Sequence, residues 1–189
     1  QMQYQRQGRI DPIAHTPNLD RLGNDGIFCT HFHTANGQCV PSRVSMQTGL
    51  YPHEAEVMII YGFHGHTAHL TGEQKTLGHV FQDAGYDTAY FGKTHFGTSL
   101  KSLGYDFGST ARNTNRPLST GDREIVASAL DFLNDFDSEN PLFLTVSVHM
   151  PHPPFELVDQ FADKYRLDEM KIPRSFYDDD SSSKPQFLQ

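Results

Sequence analysis

Apolar positions along the chain alternate between helical and strand spacing, and glycines and prolines mark where one gives way to the other. Thr16 to Leu22 reads as the opening of a helix, with Thr16 as N-cap, Pro17 at the first helical position, and Leu19 and Leu22 on one face; Gly23 or Gly26 ends it. Ile27 to Thr34 reads as a strand in which Ile27, Cys29 and His31 alternate with Phe28, Thr30 and Phe32. Pro41 to Thr48 predicts a second helix closed by Gly49, and Thr76 to Ala84 a third, with Leu77, Val80 and Phe81 as its apolar stripe and Gly85 as its stop. Tyr86 to Phe91 predicts a strand running into Gly92. Asp122 to Phe136 predicts the clearest helix, with Ile125, Ala129, Leu130 and Leu133 at helical spacing. Leu142 to Val148 is a nearly continuous apolar run, as a buried parallel strand requires, and it ends in the proline-rich turn Met150 to Phe155. From Tyr165 on the chain is polar and irregular, and Asp178 to Asp180 with the three serines that follow reads as a solvated loop.

Helices alternating with strands predict an α/β fold, a mostly parallel (mixed) sheet flanked by helices. No internal repeat or linker divides the chain, so residues 1–189 read as part of one domain. Ligand sites in such sheets form beyond the carboxyl ends of the strands. Three clusters of chemically capable residues fall there, after Ile27–Thr34, after Tyr86–Phe91 and after Leu142–Val148.

Composition narrows the function classes. At 189 residues and 37% hydrophobic, the chain has enough apolar surface for a core. Its net charge of −8 argues against a nucleic-acid partner, which requires clustered Lys and Arg, but not against a small anion, which responds to the field of its own pocket. No apolar run is long enough to span a bilayer. Cys29 and Cys39 are too few to staple the fold; they are either a buried thiol with a small disulfide loop or two inert thiols. Compartment is left open.

The first cluster is Cys39-Val40-Pro41-Ser42-Arg43. A helix starting near Pro41 puts Cys39 at its N-terminus, where free N–H groups and the helix dipole favour a negative nucleophile. Arg43, on the first turn, can hold an oxyanion; the plainer alternative is a buried cysteine before a proline-capped helix with Arg43 paired at the surface. The second cluster, Gly92-Lys93-Thr94-His95, releases a cation at a strand end, or is simply a solvated lysine turn. The third, His149-Met150-Pro151-His152-Pro153-Pro154, fixes its imidazoles with prolines, or carries incidental histidines on a stiff loop. A competing set, His64, His66 and His69 with His31 and His33 upstream, has the donor type for zinc.

Taken together, the clusters resemble the type I, formylglycine-dependent sulfatases of the alkaline-phosphatase-like superfamily. Cys39-x-Pro41-Ser42-Arg43 followed by Thr48-Gly49 is similar to the first sulfatase signature, and Cys-x-Pro-Ser-Arg arises by chance in less than about one chain of this length in a thousand. Gly85-Tyr86-x-Thr88 with Gly92-Lys93-x-His95 is similar to the second signature. His149-x-Pro151-His152-x-Pro154 resembles a segment that sulfatases carry after a buried strand, and Thr16 to Leu22 the stretch that precedes the cysteine motif. The resemblance implies a sulfuric ester hydrolase in which Cys39 is oxidised by a formylglycine-generating enzyme. It also implies Arg43 and Lys93 as charge-holding residues, His95 as general base, His152 as the group that assists the leaving alcohol, and His149 as a supporting contact. The substrate would be a small-molecule or carbohydrate sulfate ester. Ca²⁺ would bind at Cys39 with Gln1 as a further ligand. The family asparagine between the two signatures is absent here from Tyr51 to Leu70. So are the acidic metal pairs at their expected places, from which the chain is expected to be an incomplete domain lacking its first strand and its C-terminal part. Alternatives are a phosphonate monoester or phosphodiester hydrolase of the same superfamily and a non-catalytic relic.

Overall fold

The computed structural model describes residues 14–60, 69–110, 117–156 and 158–170. These fall into two compact units, one of residues 29–156 and one of residues 14–28 with 158–170.

The larger unit is built on a three-stranded parallel sheet. Strand β1 (Asp87–Gly92) lies between β2 (Phe107–Ser109) and β3 (Leu142–Ser147). Helix α2 (Cys39–Thr48), helix α3 (Leu77–Asp83) and helix α4 (Leu118–Asp135) flank it, α1 (Pro17–Asp25) lying in the other unit. The alternation of β1 decides which element packs where, because successive side chains leave a strand on opposite faces. Tyr90 joins a buried cluster with Cys39, Val40, Val44, Leu70, Phe96, Leu103 and Tyr105, and Phe143 packs against it. Ala89 and Phe91 join the opposite cluster with Ile125 and Ala129 of α4, against which Phe132, Leu142 and Leu144 pack. The register pairs Thr88 with Phe143, Ala89 with Leu144, and Gly92 with Ser147. With both faces of β1 covered, its near-continuous burial is what a central parallel strand requires.

Helix α2 is anchored by Val40 and Val44, both fully buried. Each such side chain contributes about 1.5–3 kcal/mol by leaving water. The helix closes as predicted at Gly49, which adopts the left-handed conformation (φ 73°) and donates its N–H to the Ser45 carbonyl at 2.8 Å. The buried Tyr105 hydroxyl donates to Gln47 Oε1 at 2.9 Å, and burial pushes its phenol above the ordinary tyrosine range.

Two expectations are corrected. Residues 27–34 form no strand; they are irregular with a turn at Thr30–His31, and Ile27 and Phe32 are exposed. Their alternation lacks a neighbouring strand to pair with among the described residues, and alternation without a ladder does not make a strand. Helix α4 begins at Leu118, four residues before the predicted start, because its first N–H groups find an acceptor far away in sequence: Glu156 takes those of Leu118 (2.6 Å) and Ser119 (2.8 Å).

In the smaller unit, α1 (Pro17–Asp25) starts as expected after Thr16 and passes through Gly23. The Thr16 hydroxyl donates to Asp20 Oδ1 (3.0 Å) rather than capping the backbone. The unit also holds α5 (Asp159–Ala162) and a 3₁₀ turn at Leu167–Glu169. Its Tyr165 hydroxyl accepts the His15 N–H at 3.2 Å, with the two rings edge to face. Asp178 to Asp180 lie outside the described residues.

Candidate active site

Cys39 is the first residue of α2, two positions earlier than predicted, and Pro41 occupies the third. That is a favourable place for proline, since the N–H it lacks would have no partner within the helix. Asn36 Oδ1 accepts the Gln38 N–H (2.7 Å), and the Thr34 and Ser42 hydroxyls bond at 2.7 Å, so the loop entering the helix is tied to its first turn. Cys39 is 9% exposed. Both cysteines are free thiols, Cys29 exposed and Cys39 buried, which removes the disulfide-loop alternative.

Arg43 stands four residues after Cys39 and therefore on the same helix face, one turn along. It is not paired at the surface. Its Nη1 donates to the Lys93 carbonyl (3.0 Å) and the Ser147 hydroxyl (3.0 Å), with the Tyr90 hydroxyl at 3.4 Å. Tyr90 in turn donates to the Lys93 carbonyl at 2.6 Å. The guanidinium thus sits over the carboxyl ends of β1 and β3, where the Lys93 N–H also donates to the Ser147 carbonyl (2.8 Å). Gly92 makes this junction possible: it has φ 104°, and a Cβ there would collide with the Ser147 carbonyl and the Ile125 side chain.

Lys93 is half-buried, and its ammonium is held below the ordinary lysine range, first by loss of water and then by the charge of Arg43; Cys39 and Asp122 act in the opposite direction. Cys39, Arg43, Lys93 and Asp122 therefore share one electrostatic neighbourhood. Among the described residues neither Arg43 nor Lys93 forms a salt bridge with a carboxylate. Two adjacent, partly desolvated cations without a carboxylate counter-ion form a site suited to an anion. His95, two residues on, is half-buried and holds φ 59°, a conformation uncommon outside glycine.

The histidine turn follows β3, as predicted. His149 donates its backbone N–H to Asp122 Oδ1 (2.7 Å), its ring Nδ1 lies 3.0 Å from the same oxygen, and the Met150 N–H reaches Oδ2 at 2.8 Å. The His152 N–H donates to the His149 carbonyl (3.0 Å), and its Nδ1 lies 2.6 Å from the Pro153 carbonyl. A carbonyl only accepts, so His152 Nδ1 carries the proton and Nε2 is left for chemistry.

The structure thus gathers Cys39, Arg43 and Lys93, and links His149 to them through Asp122. His95 and His152 lie on the turns that leave β1 and β3. Gln1, His64 and His66 lie outside the described residues. Asp122, Ser147, Tyr90 and Glu156 were not singled out from the sequence. Only Ser147 carried a signal, as a polar residue at the carboxyl end of a parallel strand. Among the described residues no three His, Cys, Asp or Glu side chains come together as metal ligands, which applies to the zinc alternative and to calcium alike. Asp122, the carboxylate acting on this site, has both oxygens occupied by N–H donors. The described residues do not fit a calcium site, which takes six to eight oxygens.

A sulfatase family model matches residues 9–179. Among curated proteins, the N-acetylglucosamine-6-O-sulfatase of Bacteroides thetaiotaomicron is 36% identical over 83 residues, covering 44% of this chain and 14% of that enzyme. Human iduronate 2-sulfatase is 24% identical over 197 residues, covering 86% of this chain and 35% of the enzyme, so the chain spans about a third or less of these relatives. Among solved structures, a protein in complex with its substrate D-glucosamine-2-N,6-O-disulfate aligns with a TM-score of 0.73 at 22% identity, over 87% of this chain and 35% of that one. The phosphonate monoester hydrolase of Agrobacterium radiobacter aligns with a TM-score of 0.68 at 17% identity, over 89% of this chain and 43% of that one. These two likenesses bear on the fold, an alkaline-phosphatase-like parallel sheet flanked by helices. On the match over residues 9–179, the chain belongs to the sulfatase family.

Proposed function

We propose that this chain is part of one catalytic domain that hydrolyses a sulfate ester with a formylglycine nucleophile derived from Cys39. The observation that carries the reading is the pair of cations at the start of α2: Arg43, docked on the ends of β1 and β3, and Lys93, half-buried beside it, with no carboxylate neutralising either among the described residues.

The thiol seen at position 39 stands in for an aldehyde. A formylglycine-generating enzyme oxidises the Cys39 side chain, and hydration of the aldehyde gives two geminal hydroxyls. One hydroxyl gives its proton to solvent, its oxygen attacks sulfur while the bond from sulfur to the ester oxygen breaks, and the alcohol leaves with a proton from Nε2 of His152 in its imidazolium form, Nδ1–H staying on the Pro153 carbonyl. The second hydroxyl then gives its proton to His95, its C–O bond becomes a carbonyl, and sulfate departs with the oxygen that bound it to the side chain. Arg43 and Lys93 hold the charge on the sulfate oxygens throughout.

A carbohydrate sulfate is the substrate class favoured by the names of the similar N-acetylglucosamine-6-O-sulfatase and of the disulfated glucosamine bound to the structural neighbour. Intact mass of protein made in its natural host tests the nucleophile: conversion of Cys39 lowers the mass by about 18 Da, a covalent change set by the loss of sulfur and two hydrogens and the gain of one oxygen. An unmodified thiol would favour a non-catalytic relic. Rates with matched sulfate and phosphonate esters of one alcohol test the reaction; a preference for phosphonate would overturn the sulfatase reading.

A further inference from the structure

The loop that carries His149 and His152 is fastened to the beginning of α4 at both of its ends. At its start, Asp122, on the second turn of α4, accepts the N–H groups of His149 and Met150 and faces the His149 ring. At its end, Glu156 reaches back and takes the N–H groups of Leu118 and Ser119, the first two residues of the same helix. The two carboxylates run in opposite directions, one from helix to loop and one from loop to helix. Between the fastened loop residues Met150 and Glu156 lie five residues, three of them proline.

We infer that Asp122 and Glu156 are positioning residues for the reaction proposed above, clasping the His152 loop to α4 and fixing His149 with its proton on Nδ1. Carboxylate oxygens only accept hydrogen bonds, so the 3.0 Å approach of Asp122 to His149 requires Nδ1–H and presents Nε2 as a lone pair when the ring is neutral. The side chains are 12% (Asp122) and 21% (His149) exposed, so water does not easily replace the bond. The backbone bonds from His149 and Met150 are charge-assisted and short, and they set the direction in which the chain enters the turn. The His152 N–H donation to the His149 carbonyl passes that orientation on. Asp122 also acts on Lys93 at a distance, which couples the loop to the cation half of the site.

The inference rests on the sulfatase reading for its kinetic consequence but not for its structural one, and the test separates them. In the full-length protein, Asp122→Asn is expected to lower kcat for sulfate-ester hydrolysis by about 100-fold with KM changed less than about threefold, the signature of misplaced groups rather than lost binding. Glu156→Gln is expected to lower kcat by about tenfold. Nitrogen-15 NMR of the neutral imidazoles near pH ~8.5, with His149 assigned by His149→Gln, is expected to show Nδ1–H in the wild type and Nε2–H in Asp122→Asn, whose amide donates to the ring instead. A wild-type His149 in the Nε2–H form overturns the inference, and so does an Asp122→Asn kcat within about threefold of wild type. If Asp122→Asn does not fold, the wild-type tautomer and Glu156→Gln carry the test. If the wild type turns over no sulfate ester, the functional reading falls while the NMR result still decides the clasp.

Discussion

The two halves of the candidate site are held by opposite means. The half with Cys39, Arg43 and Lys93 is held by packing and by neutral acceptors. Val40 and Val44 sink α2 into the core, and Arg43 binds a carbonyl and two hydroxyls. The half with His149 and His152 is held by carboxylates, Asp122 at one end and Glu156 at the other. The difference fits the roles proposed for each half. A carboxylate against Arg43 or Lys93 would spend their charge inside the protein and repel an anion, whereas histidines gain tautomer and direction from one.

The most damaging way to break this arrangement is at its proposed nucleophile. Cys39→Ala is expected to lower sulfate-ester turnover by about 10⁴-fold or more, close to the assay background, because no other group replaces a covalent nucleophile. Thermal unfolding should shift little beyond the loss of one small buried side chain. A Cys39→Ala protein with wild-type turnover would remove the whole reading.

Arg43→Lys comes next, with an expected drop of about 100-fold in kcat/KM. All three contacts to the Lys93 carbonyl, Ser147 and Tyr90 come from Nη1, so a lysine ammonium placed on those acceptors has no second nitrogen to offer an anion, whereas the guanidinium has Nε and Nη2 besides. A retained rate would mean that charge alone suffices and that the neutral acceptors are incidental.

The pH profile sharpens the same contrast. Lys93 carries its charge below its folded pKa, which burial and then Arg43 hold beneath the ordinary value of 10.5. Activity is therefore expected to fall as pH rises through a value lower than that of a free lysine. Arg43→Gln removes the repulsion and should move this alkaline limb to higher pH; Asp122→Asn removes a supporting negative charge and should move it lower. Unchanged limbs in kcat/KM profiles of both variants would show that Lys93 does not govern it.

Tyr90→Phe removes the hydroxyl that donates to the Lys93 carbonyl and is expected to cost about 1 kcal/mol of stability and up to about tenfold in kcat.

The smallest expected effect lies at the far end of the histidine loop. The N–H groups of Ser119 and then Leu118 hold the Glu156 carboxyl below its ordinary value of 4.5. Its folded pKa is depressed, so its stabilisation is present above about pH 4.5 and is lost as pH falls through the lower folded value. The melting-temperature gap between wild type and Glu156→Gln should be widest near neutrality and close in acid as pH falls through that lowered value. A gap that persists in acid would assign it to packing.

Much of this architecture was legible in the chain. Local signals placed α2, α3, β1 and β3 within two residues, because Gly49, Gly85 and the apolar runs act over a few positions. The strand-end residues Lys93 and Ser147 are drawn together by the register of β1 with β3, and only Lys93 stood out in advance. The first turn of α4 and the role of Asp122 depend on partners 27 to 38 positions away, and no local pattern encodes such pairs. Residues 27–34 failed in the other direction: alternation predicted a strand, and no described neighbour completes it.

The pairing of Gly92 with Ser147 has a consequence for how errors in folding would be sensed. Slipping β3 by one residue against β1 would turn the Ser147 hydroxyl to the opposite side of the sheet and deprive the guanidinium above it of one anchor. Arg43 then works as a gauge of strand alignment, seated fully when the ladder is in step, so the anion binding proposed for it becomes conditional on correct assembly of the sheet beneath it.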